Sequence, residues 1–152
     1  MSPADEPSAA GRRFAIVAAR FNATYVDRMV DAAIDVLKRH GVNDRDLERM
    51  SVPGAFELPL GCQQAIGRGR IDAVLAFGCL IEGETDHFRL VADAATQGLM
   101  RVALDTGVPV LHGILAVQVA DQAASRTGGE HGNRGAEVAL AALRMSSPER
   151  AS

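Results

Sequence analysis

Ile71-Asp72-Ala73-Val74-Leu75-Ala76-Phe77-Gly78-Cys79-Leu80 is the stretch on which the fold turns. It is apolar almost throughout, the pattern of a strand covered on both faces, and such strands belong to parallel sheets flanked by helices. Downstream, Glu82-Gly83-Glu84-Thr85 makes a turn. From Thr85, apolar residues at Phe88, Val91, Ala92, Ala95, Leu99, Val102 and Ala103 recur at helical spacing as far as Gly107. Pro109 to Val117 reads as a further strand, followed by short helices around Val119 to Arg126 and Arg134 to Met145, with the glycine-rich loop Gly128 to Gly132 between them. Upstream, Leu58 to Ile66 is an amphipathic helix with Pro59 in its first turn, and Leu47 to Val52 is a strand. Phe14 to Ala19 is the first strand, and the helix after it opens at Asn22 and closes at Gly41. The order βαβαβαβαα predicts an α/β fold, a three-layer sandwich with a four-stranded parallel sheet whose strands alternate with helices.

A chain of 152 residues, 47% apolar and 23% charged, supports one compact domain. Met1 to Gly11 carry Pro3, Pro7, Asp5 and Glu6 without apolar periodicity, so residues 1–11 read as a flexible tail, 12–146 as the domain and 147–152 as a second tail. A formal charge of −3 gives no footprint for nucleic acid or an anionic membrane surface. No apolar run approaches the roughly 20 residues of a membrane helix, so the expected address is the cytoplasm. Cys62 and Cys79 lie in apolar stretches without metal-ligand spacing, which fits reduced, structural thiols. His40, His87, His112 and His131 are scattered, so no metal is expected.

In parallel α/β sheets ligands bind beyond the carboxyl ends of the strands. Phe21, Phe56 and Phe88 each follow one of the first three strands, beside polar residues; each either caps the core at a helix start or stacks on a planar ligand. Gly78 to Thr85 has the spacing of a nucleotide-phosphate loop, but Glu84 stands where the lysine belongs and would repel the phosphates. What survives is Gly83 and the free amides at a helix start, which can hold a phosphate monoester if a cation offsets Glu82, Glu84 and Asp86. Arg126 and Arg134 are the candidates, against the alternative of solvated surface arginines. His87, in the first turn of the long helix, carries the side chain whose charge changes near neutral pH, and is either a surface residue or a proton-transfer group. The single lysine, Lys38, sits near the carboxyl end of the first helix, away from the strand ends, which argues against a protein Schiff base. GxSxG and GxGxxG are both absent.

Five motifs then stand in register: Arg20-Phe21-Asn22, VPGAFELP at Val52 to Pro59, GETDHF at Gly83 to Phe88, TQGL at Thr96 to Leu99, and GNRGAEVALAAL from Gly132 to Leu143. Together they resemble the 6,7-dimethyl-8-ribityllumazine synthase family over nearly everything from Arg13 to Met145. The resemblance implies a flavodoxin-like fold and the condensation of 5-amino-6-ribitylaminouracil with 3,4-dihydroxy-2-butanone 4-phosphate, without a cofactor. It also implies that Phe21 stacks on the pyrimidine, that Asn22, Ala55, Phe56 and Glu57 line the ribityl site, and that the Leu80-Ile81 backbone meets the ring edge. Gly83, Glu84 and Thr85 would offer main-chain donors to the phosphate, partnered by Arg126, while His87 moves protons.

Members of that family build each site between adjacent subunits of a pentamer, the fourth strand and last helices coming from the neighbour. Two departures from the family pattern matter: His112 stands where an aromatic usually precedes the glycine of the fourth strand, and Arg134 where lysine is usual; Glu82 and the Ala116-Val117-Gln118 segment also differ. The Gly128 to Gly132 loop has the length found in sixty-subunit shells. The small-molecule enzyme is thus the first reading, and a non-catalytic flavin- or lumazine-binding or shell-forming protein on the same scaffold is the alternative.

Overall fold

The computed structural model describes residues 8–147. Four parallel strands, β1 (Phe14–Ala19), β2 (Leu47–Val52), β3 (Ala73–Ile81) and β4 (Val110–Val117), form one sheet in the order β2-β1-β3-β4. Helices α1 (Ala23–Arg39), α2 (Leu58–Gly67), α3 (His87–Thr106), α4 (Ala120–Ser125) and α5 (Arg134–Met145) cover it on both faces. Two 3-10 turns, Asp44–Asp46 and Ala55–Glu57, lead into β2 and α2. The α/β three-layer expectation holds.

Because side chains alternate across a strand, β3 feeds two cores. Leu75, Phe77 and Cys79 face α1 and α5, where Val26, Met29, Ala33, Leu37, Val138 and Ala142 are buried. Val74, Ala76 and Leu80 face α2 and α3, with Leu58, Cys62, Ala65, Ala95 and Leu99. The strand starts at Ala73, later than its apolar run, because the Asp72 carboxylate is occupied: it accepts from the Arg13 backbone at 2.8 Å and pairs with Arg70 at 2.9 Å. Helix α3 starts at His87 and not at Thr85, since the Thr85 hydroxyl accepts the His87 N–H at 3.3 Å from outside the helix. The glycine-rich loop folds into a small antiparallel ladder of β5 (Thr127–Gly129) and β6 (Gly132–Asn133).

The amino-terminal boundary also differs from its reading. Ala9 is fully buried in the α1/α5 core and donates to the His40 carbonyl at 2.7 Å, so packing reaches into the segment read as a tail to Gly11. Arg12 then ties down the end of α5, donating to the Leu143 carbonyl and the Ser146 hydroxyl, each at 2.9 Å. Positions 1–7 and 148–152 of the two tails lie outside the described residues.

Gly135 explains why α5 can lie so close on α1. A Cβ there would collide with the backbone carbonyl of Met29, which has no freedom to move aside. Asn133 fixes the approach: its Oδ1 accepts the Gly135 N–H at 2.7 Å and its Nδ2 donates to the Arg28 carbonyl at 3.3 Å. Gly135→Ala is expected to destabilise the fold by about 1–3 kcal/mol through overpacking, lowering Tm by roughly 3 °C or more. A melting curve superimposable on wild type would show that the helices separate without cost.

Candidate active site

Strand order reverses at β1 and β3: the chain leaves β1 towards β2 on one side, and leaves β3 towards β4 on the other. Crossover helices depart to opposite faces there, and a crevice opens between the two carboxyl ends. Phe21 and Phe56 stand at this edge, each 64% exposed, while Phe14 and Phe77 are completely buried. A phenyl left in water when its counterparts fill cores is positioned for something other than core packing. Phe88 resolves the other way and packs partly buried on the α2/α3 core.

The backbone around Phe21 is held from β2: Arg20 donates to the Val52 carbonyl at 2.8 Å and Phe21 to the Pro53 carbonyl at 3.1 Å. Asn22 reaches the opposite side, its Nδ2 donating to the Cys79 carbonyl at 2.8 Å. The turn after β2 places Ala55 in the core beneath Gly78 and leaves Phe56 outward, with the Glu57 N–H on the Gly54 carbonyl at 3.2 Å. At the end of β3, Leu80 is buried and Ile81 half-buried, and Glu82 donates back to Val117 at 2.8 Å. Gly83, Glu84, Thr85, Asp86 and His87 follow, all exposed.

This edge can stack a planar ring, present main-chain donors and exchange a proton at His87. Free amides at the start of α3 favour an anion: Thr85 engages the first of them, at His87, and the Asp86 side chain makes no capping bond. Glu82, Glu84 and Asp86 work against that anion. A thiolate nucleophile is not available: burial pushes the Cys79 thiol up to about 11 and the Cys62 thiol up to about 12. Lys38 pairs with Asp44 at 2.7 Å, beyond the far end of α1.

Eleven of the site residues read from sequence, Phe21, Asn22, Ala55, Phe56, Glu57, Leu80, Ile81, Gly83, Glu84, Thr85 and His87, thus share the carboxyl edge of the sheet. Three do not join them within one chain. His112 pairs in register with Ala76, five residues before the end of β4, on the order of 16 Å along the strand from its carboxyl end. Arg126 folds back on α4, donating to the Gln122 carbonyl at 3.1 Å and the Ser125 hydroxyl at 3.2 Å. Arg134 pairs with Glu137 at 3.1 Å, and its backbone N–H donates to the Arg126 carbonyl at 2.8 Å.

Two supporting residues carried no such signal in the reading above. Thr96 Oγ1 lies 2.9 Å from His112 Nε2, a pairing between α3 and β4 that no local pattern announces. Gln122 organises the approach to Arg126, its Oε1 accepting from Gln118 at 2.7 Å and Val119 at 3.3 Å. Gln122 stands at the third helical position and caps the Val119 N–H, but a valine at the cap position leaves no capping-box signature in the sequence.

Partial loss of water holds the His112 pKa below its ordinary 6.5, and the nearby Arg134 charge adds to the effect. The folded state therefore binds the proton less readily than the unfolded chain. The contribution to stability is complete above pH 6.5 and is lost as the pH falls below it. An NMR titration is expected to place the His112 midpoint under 6.5, and His112→Gln should flatten the acid side of the stability profile. A midpoint at or above 6.5 would contradict this.

A model of the 6,7-dimethyl-8-ribityllumazine synthase family matches residues 11–150. The 6,7-dimethyl-8-ribityllumazine synthase of Halorhodospira halophila is 51% identical over 133 residues, 88% of this chain and 85% of that protein. Two proteins of the same name from Stenotrophomonas maltophilia, strains R551-3 and K279a, are 49% and 48% identical over 133 residues, covering 88% of this chain and 86% of each. With the crevice, the exposed phenyls and the histidine in place at the switch point, and with a match that spans the whole domain, the chain belongs to the 6,7-dimethyl-8-ribityllumazine synthase family.

Proposed function

We propose that the protein condenses 5-amino-6-ribitylaminouracil with 3,4-dihydroxy-2-butanone 4-phosphate, forming 6,7-dimethyl-8-ribityllumazine and releasing phosphate and water, as a step of riboflavin biosynthesis. The observation that carries this is the crevice between β1 and β3, where outward phenyls, main-chain donors and His87 lie together without a nucleophilic side chain. The uracil supplies its own amine, so the protein acts by holding two reactants in line, which is worth many orders of magnitude in effective concentration. Phe21 stacks on the pyrimidine, Asn22, Ala55, Phe56 and Glu57 border the ribityl chain, and Leu80 and Ile81 meet the ring edge. The main chain of Gly83, Glu84 and Thr85 receives the phosphate. His87 moves protons as the amine adds to the ketone, water and phosphate leave, and the ring closes.

The missing cation makes the site an assembly. Arg126, Arg134 and His112 come from a neighbouring copy, Arg126 partnering the phosphate and His112 standing beside the ring. Exposed Leu90, Met100 and Leu104 along α3 support burial against other copies, and a pentamer or a sixty-subunit shell meets both demands. The buried free thiols fit a reducing cytoplasm. Mixing the purified protein with both substrates and following the lumazine chromophore tests the reaction: a rate no higher than the spontaneous one, with ligand still bound, leaves a binder only. Sedimentation tests the assembly, and a monomer would refute the shared site.

A further inference from the structure

Asn22 is the one non-glycine residue with positive φ among the described residues, at φ 58° and ψ 42°, in the left-handed region. It opens α1, its carbonyl accepting from Tyr25 at 3.1 Å and Val26 at 3.3 Å, yet its side chain makes no capping bond to that helix. The amide goes instead to the Cys79 carbonyl. Strand register explains why. The ladder between β1 and β3 ends at Ala18 opposite Phe77, while the ladder between β3 and β4 continues to Ile81 opposite Val117. Beyond Phe77, β3 has lost its β1 partner, and the Cys79 carbonyl looks into the crevice where β1 has turned away. Cys79 is buried, and a carbonyl left there without a donor is costly.

We propose that Asn22 is a positioning residue that sets the width of the crevice: its amide bridges the opening between the Phe21 turn and β3, so the phenyl stands at a fixed separation from the Leu80-Ile81 backbone. Asparagine combines tolerance of the left-handed region with a short side-chain donor. Aspartate accepts but does not donate, glycine lacks the side chain, and alanine lacks the donor and resists the backbone angle. With Phe21 held to Pro53 on its other side, the amide is the second of two tethers, and both ends of it touch groups that flank the ring. Asn22 borders the ribityl chain in the proposed site, but its amide donor is engaged by the Cys79 carbonyl and acts on the substrate through Phe21, a role that rests on the assignment of the crevice made above.

Asn22→Gly keeps the backbone angle and removes the donor; Asn22→Asp keeps the shape but sets a carboxylate against the Cys79 carbonyl, so a thermal melt of each variant first establishes that the fold is retained. Each is combined with Phe21→Ala, and binding of 6,7-dimethyl-8-ribityllumazine is followed by fluorescence titration alongside steady-state kinetics. Either Asn22 substitution alone should raise the lumazine Kd and the KM of the ribitylaminouracil roughly five- to tenfold, the expected loss for one positioning hydrogen bond. The KM of the phosphorylated ketone should move less than about twofold, and in the Phe21→Ala background the effect on Kd should shrink below about twofold, because contacting residues couple. Additive losses, an equal rise for both substrates or an unchanged Kd would each overturn the role while leaving the crevice assigned. A wild-type protein that fails to bind the lumazine overturns the crevice itself, and this role with it.

Discussion

Arg126→Ala is expected to raise the KM of the phosphorylated ketone roughly 10- to 100-fold and to leave that of the ribitylaminouracil within about twofold. The size follows from removing a charge-assisted hydrogen bond to a phosphate, worth about 1.5–3 kcal/mol. The asymmetry follows from the fold. Gly83, Glu84 and Thr85 offer donors but sit among the exposed carboxylates Glu82, Glu84 and Asp86, so a dianion there needs a guanidinium, whereas the stacked pyrimidine does not. Arg126 is already pre-oriented by the Gln122 carbonyl and the Ser125 hydroxyl, so little side-chain freedom remains to be lost on binding. Arg126→Lys should recover only part of the loss, because an ammonium keeps the charge without the planar fork. Equal losses for both substrates would refute the clamp.

His87→Ala is expected to lower kcat on the order of 10²-fold, the usual share of general acid-base catalysis, with the remaining acceleration coming from alignment of the two reactants. The residue is exposed in the first turn of α3, and its backbone N–H is held by Thr85, so the imidazole is free to follow successive proton transfers at different substrate atoms. The decisive readout is the pH dependence of kcat, whose shape should change when the imidazole is removed. A profile of unchanged shape in the variant would remove the role whatever the size of the rate loss.

Much of the fold was legible because it rests on local periodicity. The apolar run at β3 announced a doubly covered strand, and Val26, Met29, Val30, Ala33, Ile34 and Leu37 recur at helical spacing along α1, all of them in the core except Ile34, which packs partly buried against it. The carboxyl edge holding Phe21, Phe56 and His87 followed from strand alternation, whereas the strand order that puts the switch point between β1 and β3 did not. What stayed hidden depends on pairings distant in sequence. Asp72 delays β3 by engaging Arg13, Ala9 tucks under His40, and Asn22 closes on Cys79. None of these has a periodic signature, since a hydrogen bond between residues tens of positions apart is visible only after the chain has folded. The separation of His112, Arg126 and Arg134 from the His87 edge could not be read from residue types either, because it depends on how β4 aligns with β3.

The double allegiance of β3 has a thermodynamic meaning. Phe77 and Ala76, adjacent in sequence, belong to opposite cores, and the sheet between them is a wall common to both. Neither layer of helices can peel away without uncovering apolar surface on that wall, so the described domain is built to melt cooperatively, in one transition rather than in halves.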